Sequence, residues 1–176
     1  LAETAKKRQE NVGWKIVTDA GTGVRLGIPT KLVPQLASDA NGARWTSATG
    51  TIQIQLARRK EAIPATAKLA EREKKEPGRT VNYTVVKPDF FVLSGLQGLK
   101  KFYLRGTFKG DEVRILTILY DQAVENTVEP VVIALAARSL PPQQQKQAII
   151  WGSAAAIVMR VFSSSRRSSQ SSAVMA

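Results

Sequence analysis

From Val81 to Tyr120 the chain repeats one pattern, short β-branched and aromatic runs set apart by turn residues: VNYTVV, DFFVLSG, KKFYLRGTF and VRILTILY. This spacing constrains the fold more than any single residue does, because consecutive strands joined by short turns lie side by side and antiparallel, as a meander. Phe90 to Leu93 is a continuous apolar run, the pattern of a central strand covered on both faces, and Gly95 and Gly98 permit the turn that follows. In KKFYLRGTF the alternation predicts Phe102, Leu104 and Phe108 on one face and Lys101, Tyr103 and Arg105 on the other. KGDE at 109–112 makes a hairpin turn into VRILTILY, where almost every position is apolar or β-branched. Beyond it Asn126 and Glu129 have the spacing of a capping pair, and Val128, Val131, Val132 and Leu135 form a broad apolar stripe. The spacing predicts a helix that lays this stripe on the sheet and ends at Pro141-Pro142.

The first half is less regular. WKIVTD at 14–19 and VRLGIP at 24–29 read as a hairpin whose glycines supply the turn, ended by Pro29 and Pro34. LASDANGARW at 36–45 reads as turn chemistry, whereas in TIQIQLA at 51–57 Ile52, Ile54 and Leu56 alternate with Gln53 and Gln55, as in a sheet wet on one face. PATAKLAEREKKE at 64–76 predicts a surface helix with Glu71–Lys75 and Arg72–Glu76 pairs, a thin stripe of Ile63, Ala67 and Ala70 beside Leu69, and an end at Pro77-Gly78. The architecture expected is α+β, an antiparallel sheet flanked by helices in an α/β/α sandwich over residues 13–142. Residues 1–12 read as a polar tail, and residues 143–176 as a QQQKQ linker, the apolar run AIIWGSAAAIVMRVF and a low-complexity Ser/Arg end, the remnant of a following module. The first residue is Leu1 rather than Met, which reads as a processed piece of a longer chain. The run at 148–159 is shorter than the roughly 20 residues of a spanning helix, so no membrane span is expected.

Absences narrow the chemistry. The chain has no histidine and no cysteine, which removes Ser-His-Asp and Cys-His catalysis, imidazole or thiolate metal ligation and disulfides within it. Carboxylate or lysine acid–base chemistry is all that would serve an enzyme, so no catalysis is expected. Asp19, Asp89, Asp111, Glu112 and Asp121 all sit at strand ends or turns, where aspartate bonds nearby backbone; no dense oxygen cluster for a cation and no cofactor are expected. GTGVRLG at 21–27 has glycines but leads into a β-prone run broken by Pro29 rather than into a helix, so it reads as a hairpin turn and not a dinucleotide loop.

The net charge of +12 brings in nucleic acid, anionic lipid and acidic protein surfaces as candidate partners, although the basic residues are spread along the chain, as on an ordinary solvated surface. Arg58, Arg59 and Lys60 follow directly on one strand and Lys100 and Lys101 open another; if the two strand ends meet they form a basic rim for carboxylate or phosphate groups. Tyr103 shares the polar face of its strand with Lys101 and Arg105, so these seven residues are the candidate partner-binding set. Tyr83, Phe90, Phe91, Phe102 and Phe108 follow the pattern of core residues rather than of a base-stacking platform.

The GVRLGIP element, the FFVLSG, KFY and VRILTILY strands and the VEPVVIALAARSL helix together resemble the PsbP-like fold family, over roughly residues 13–140. That resemblance implies an antiparallel sheet between helices in an uncharacterised bacterial exported protein. It also implies a non-catalytic accessory or protein-interaction module, periplasmic or otherwise exported, whose partner is an acidic surface or another domain of the same polypeptide. IIWGSAAAIV is similar to the first strand of a chymotrypsin-like protease, but no histidine follows it and no catalytic residue is carried across. Two alternatives remain at this point: nucleic-acid binding through the basic surface, and a small-molecule carrier with its pocket between the sheet and the Val128–Leu135 helix.

Overall fold

The computed structural model describes residues 11–61 and 65–138. The early hairpin forms as its glycines predict: β1 (Trp14–Thr18) pairs with β2 (Arg25–Pro29) as a separate two-stranded sheet. Its turn is held by Asp19, whose carboxylate accepts from the Thr22 N–H at 2.8 Å and the Thr22 hydroxyl at 2.6 Å.

The segment read as turn chemistry is instead a hairpin. β3 (Gln35–Asp39) and β4 (Gly42–Thr46) pair antiparallel, and only Ala40 and Asn41 turn between them. Asp39 accepts from the amides of Asn41 and Gly42 at 2.7 and 3.1 Å, so one short loop consumes the polar signal that masked two strands. β5 (Ile52–Lys60) follows, with Ile52, Ile54 and Leu56 buried, and it continues through Arg58, Arg59 and Lys60 rather than stopping before them.

β6 (Arg79–Val86), β7 (Phe90–Gln97), β8 (Lys100–Lys109) and β9 (Glu112–Asp121) form the expected meander. β9 then pairs along nine positions with β5, giving the order β3-β4-β5-β9-β8-β7-β6. β6 has a bulge between Val81 and Tyr83 opposite Gly95. A Cβ on Gly95 would stand 2.0 Å from the Thr80 carbonyl oxygen, so the missing side chain is what lets the bulged strand lie this close.

Two apolar clusters occupy the two faces. Phe91, Leu93, Phe102, Leu104, Val113 and Ile115 meet Leu69 and Ala70 of α1 (Thr66–Lys74) on one side. On the other, Val92, Tyr103, Leu116, Ile118 and Tyr120 join Trp45, the hairpin residues Leu26 and Ile28, and Val128, Val132 and Leu135 of α2 (Glu125–Arg138). Phe90–Leu93 is therefore covered on both faces, as its unbroken apolarity requires. Among the described residues the result is an α+β, sheet-dominated fold with two α-helices. It is less clearly a helix-flanked sandwich than expected, because the β1–β2 hairpin shares the second face with α2.

The helices also depart in detail. In α1 it is Thr66, Leu69 and Ala70 that are buried, while Ala67 is exposed. Glu71 pairs with Lys74 at 2.7 Å, and Arg72 reaches off the helix to Glu61 at 2.5 Å, so neither four-residue pair forms. In α2 the predicted stripe of Val128, Val131, Val132 and Leu135 is buried throughout. Asn126 lies inside the helix rather than before it, since a 3₁₀ turn at Gln122–Val124 runs directly into the helix at Glu125. The expected stop at Pro141-Pro142, residues 143–176 and most of the 1–12 tail lie outside the described residues.

Candidate interaction surface

The seven basic and aromatic residues singled out in the sequence do not come together. Lys60 lies opposite Glu112 at one end of β9, whereas Lys100 lies opposite Asp121 at the other. Nine residues of extended strand separate these ends by about 30 Å, so no shared basic rim exists. Among the described residues each charged member except Lys60 also has a local partner. Arg59 pairs with Glu73 at 2.5 Å, Lys100 with Asp121 at 2.7 Å, and Arg58 approaches Glu112 at 3.9 Å. The strand-end charges thus link elements of this chain to one another.

Lys101, Tyr103 and Arg105 share a face as predicted, but that face is buried, at 5%, 2% and 6% exposure. Lys101 forms an ion pair with Glu125, the first residue of α2. Arg105 lies over the Phe90 ring, 4.5 Å from its centroid. Burial pushes the Tyr103 hydroxyl above its ordinary range, and the charge and hydrogen bond of Arg105 offset this in part. Alternation assigned these residues to the right face and the wrong environment, because a polar strand face becomes interior once a helix begins with a matching acid.

The interval between the sheet and α2 is filled. Val92, Tyr103, Leu116, Ile118 and Tyr120 pack there with exposures between 0 and 5%. A shallow depression of 310 Å³ lies elsewhere, over β3, β4 and β5, lined by Ala37, Asp39, Asn41, Arg44, Gln55 and Ala57 among others.

That depression marks the half of the sheet that α1 leaves uncovered. Register runs Ala37–Arg44–Gln55–Thr117–Leu104 across β3, β4, β5, β9 and β8, and Leu104 belongs to the cluster beneath α1. α1 packs on β6 and β7, so it covers one end of this face and leaves Arg44, Gln53, Gln55 and Thr117 accessible. Arg44 is exposed and makes no ion pair among the described residues. Small neighbours, Ala37 on β3 and Gly42 two residues back on β4, give the guanidinium open sides. The Gln53 and Gln55 alternation had announced a wet face; Arg44 was hidden in a segment read as loop.

Among the described residues no group of three or more metal-ligating side chains is present, and no helix is long and apolar enough to cross a membrane. The apolar run at 148–159 lies outside them.

The chain is similar to cyanobacterial PsbP (CyanoP) from Synechocystis sp. PCC 6803, known from a solution structure, at 8% identity over 72% of this chain and 91% of that one, with a TM-score of 0.48. A likeness at this level concerns the fold alone, and nothing further is argued from it. The model of the TerC integral membrane protein family matches residues 126–164, well short of half the chain. No curated protein matches.

Proposed function

We propose that this chain is a non-catalytic protein-interaction module that recognises an acidic protein segment through the uncovered half of its large sheet. The observation that carries this reading is Arg44, an arginine without an ion pair among the described residues, standing beside Gln55 over a depression floored by small residues. A guanidinium and an amide side by side donate to a carboxylate in the plane it prefers. Of the strand-end bases that first suggested an acidic partner, Arg58, Arg59, Lys100 and Lys101 are engaged within the chain, so recognition moves from them to Arg44.

Nucleic acid is the poorer fit, because Phe91, Phe102 and Tyr103 are core residues with 2% exposure or less and offer no stacking surface. Fluorescence anisotropy with labelled poly-glutamate tests the reading. Binding is expected to weaken with salt and to fall about tenfold in Arg44→Glu, as reversal of a rim charge produces. Equal affinity for single-stranded DNA, or an unchanged affinity in Arg44→Glu, would overturn it.

A further inference from the structure

The large sheet has two edges, and they are built differently. β6 carries a bulge between Val81 and Tyr83, and α1 packs alongside it. Its first residue is tied down as well, since Arg79 donates to the Glu73 carbonyl oxygen at 2.7 Å and to Gln97 at 3.0 Å. These are the devices that blunt an edge against strand pairing.

β3 has none of them. All five residues from Gln35 to Asp39 are exposed, the pairing with β4 runs without a bulge, and the strand contains no proline and no lysine. Leu36 is 59% exposed, on the face opposite Ala37. Among the described residues no strand pairs with its outer side, so its outward N–H and C=O groups form a ready template.

We infer that β3 is a docking strand, to whose free edge an extended, acidic segment of a partner protein adds as an eighth strand. This rests on the recognition role proposed above and names the form the partner takes. An added strand lies two inter-strand spacings, about 10 Å, from β4. A glutamate placed beside Ala37 meets Arg44 across that short methyl side chain, because Ala37 and Arg44 are cross-strand neighbours. The residues before and after it face the other way, and there Leu36 offers an apolar neighbour. The preferred segment therefore alternates acidic and apolar residues. A second copy of this chain is the less suitable occupant, since two molecules of net charge +12 repel and β3 itself carries no base to offer or acid to spare. Asp39 is engaged with its own turn.

The test uses the full 176-residue chain, labelled with nitrogen-15 and titrated with a blocked octapeptide of alternating Glu and Val. Amide shifts are expected to concentrate on residues 35–39. A peptide N-methylated at alternate residues, made in both phases, is expected to lose tenfold or more in affinity in one phase only, since only one set of amides faces β3. Ser38→Pro is expected to weaken binding of the unmodified peptide by a similar factor; if that variant fails to fold, the N-methyl comparison on the unaltered chain stands by itself. Equal binding of both methylated peptides overturns the inference, as do shifts centred on β6, or on Arg44 and Gln55 with β3 unmoved. A dimer without peptide in sedimentation, with the β3 amides protected from exchange, overturns it in favour of self-pairing. If poly-glutamate binds through Arg44 but no strand is added, the docking strand fails while the broader recognition role survives.

Discussion

Lys101 shows how a charge becomes structural. Its side chain is 6% exposed and its partner Glu125 is 22% exposed, so the pair fastens the start of α2 to β8 in an environment where solvent screens poorly. Lys101→Met is expected to destabilise the protein by about 3 kcal/mol in urea unfolding, chiefly by leaving Glu125 without its counter-ion. The double variant Lys101→Met with Glu125→Leu is expected to recover more than half of that loss, because the desolvated acid is gone too. Tyr103 next to it gives a pH signature. Its folded pKa lies above the unfolded value, so the unfolded chain releases the proton first as pH rises past about 10. Stability contributed by the neutral hydroxyl is therefore lost from there upward, until the folded pKa is passed. Tyr103→Phe is expected to flatten the alkaline limb of unfolding free energy against pH relative to the parent protein. The face of each of these residues was legible from alternation alone. Their burial was not, because it depends on Glu125, an acid 24 positions from Lys101 in sequence.

At the scale of elements, the contrast between β6 and β3 rests on single glycines and single turns. Gly95→Ala puts a methyl group against the Thr80 carbonyl oxygen, backbone that cannot swing aside. A loss of about 2 kcal/mol is expected, read as a lower denaturation midpoint at unchanged m-value. The two helices are held to different degrees. α2 buries Val128, Val131, Val132 and Leu135, each worth about 1.5–3 kcal/mol, whereas α1 buries only Leu69 and Ala70 as apolar anchors. The ion pairs from α1, Arg72–Glu61 and Arg59–Glu73, involve arginines half exposed or nearly so and add little. Periodicity revealed the strong helix and the meander because their signals are local. It missed β3 and β4 because Asp39, Asn41 and Gly42, in and beside a two-residue turn, dominate so short a stretch.

Across the whole molecule, protection should follow strand order. Hydrogen exchange is expected to be slowest for amides of β8 and β9, which have strands on both sides and a core on both faces, and to approach global unfolding there. Amides of β3 are expected to exchange faster than any others in the large sheet, by local opening; uniform protection from β3 to β8 would contradict this. The adjacency of β5 and β9 was the least legible feature, since no turn joins them and pairing across such a distance leaves no local trace. It has a consequence for how the protein is made. β5 emerges from the ribosome with Ile52, Ile54 and Leu56 complete, yet the neighbour that closes its second side arrives about 50 residues later, several seconds at ordinary synthesis rates. During that wait its bare side is an aggregation hazard, and Arg58, Arg59 and Lys60 place at its end the kind of charge that discourages stray strand pairing.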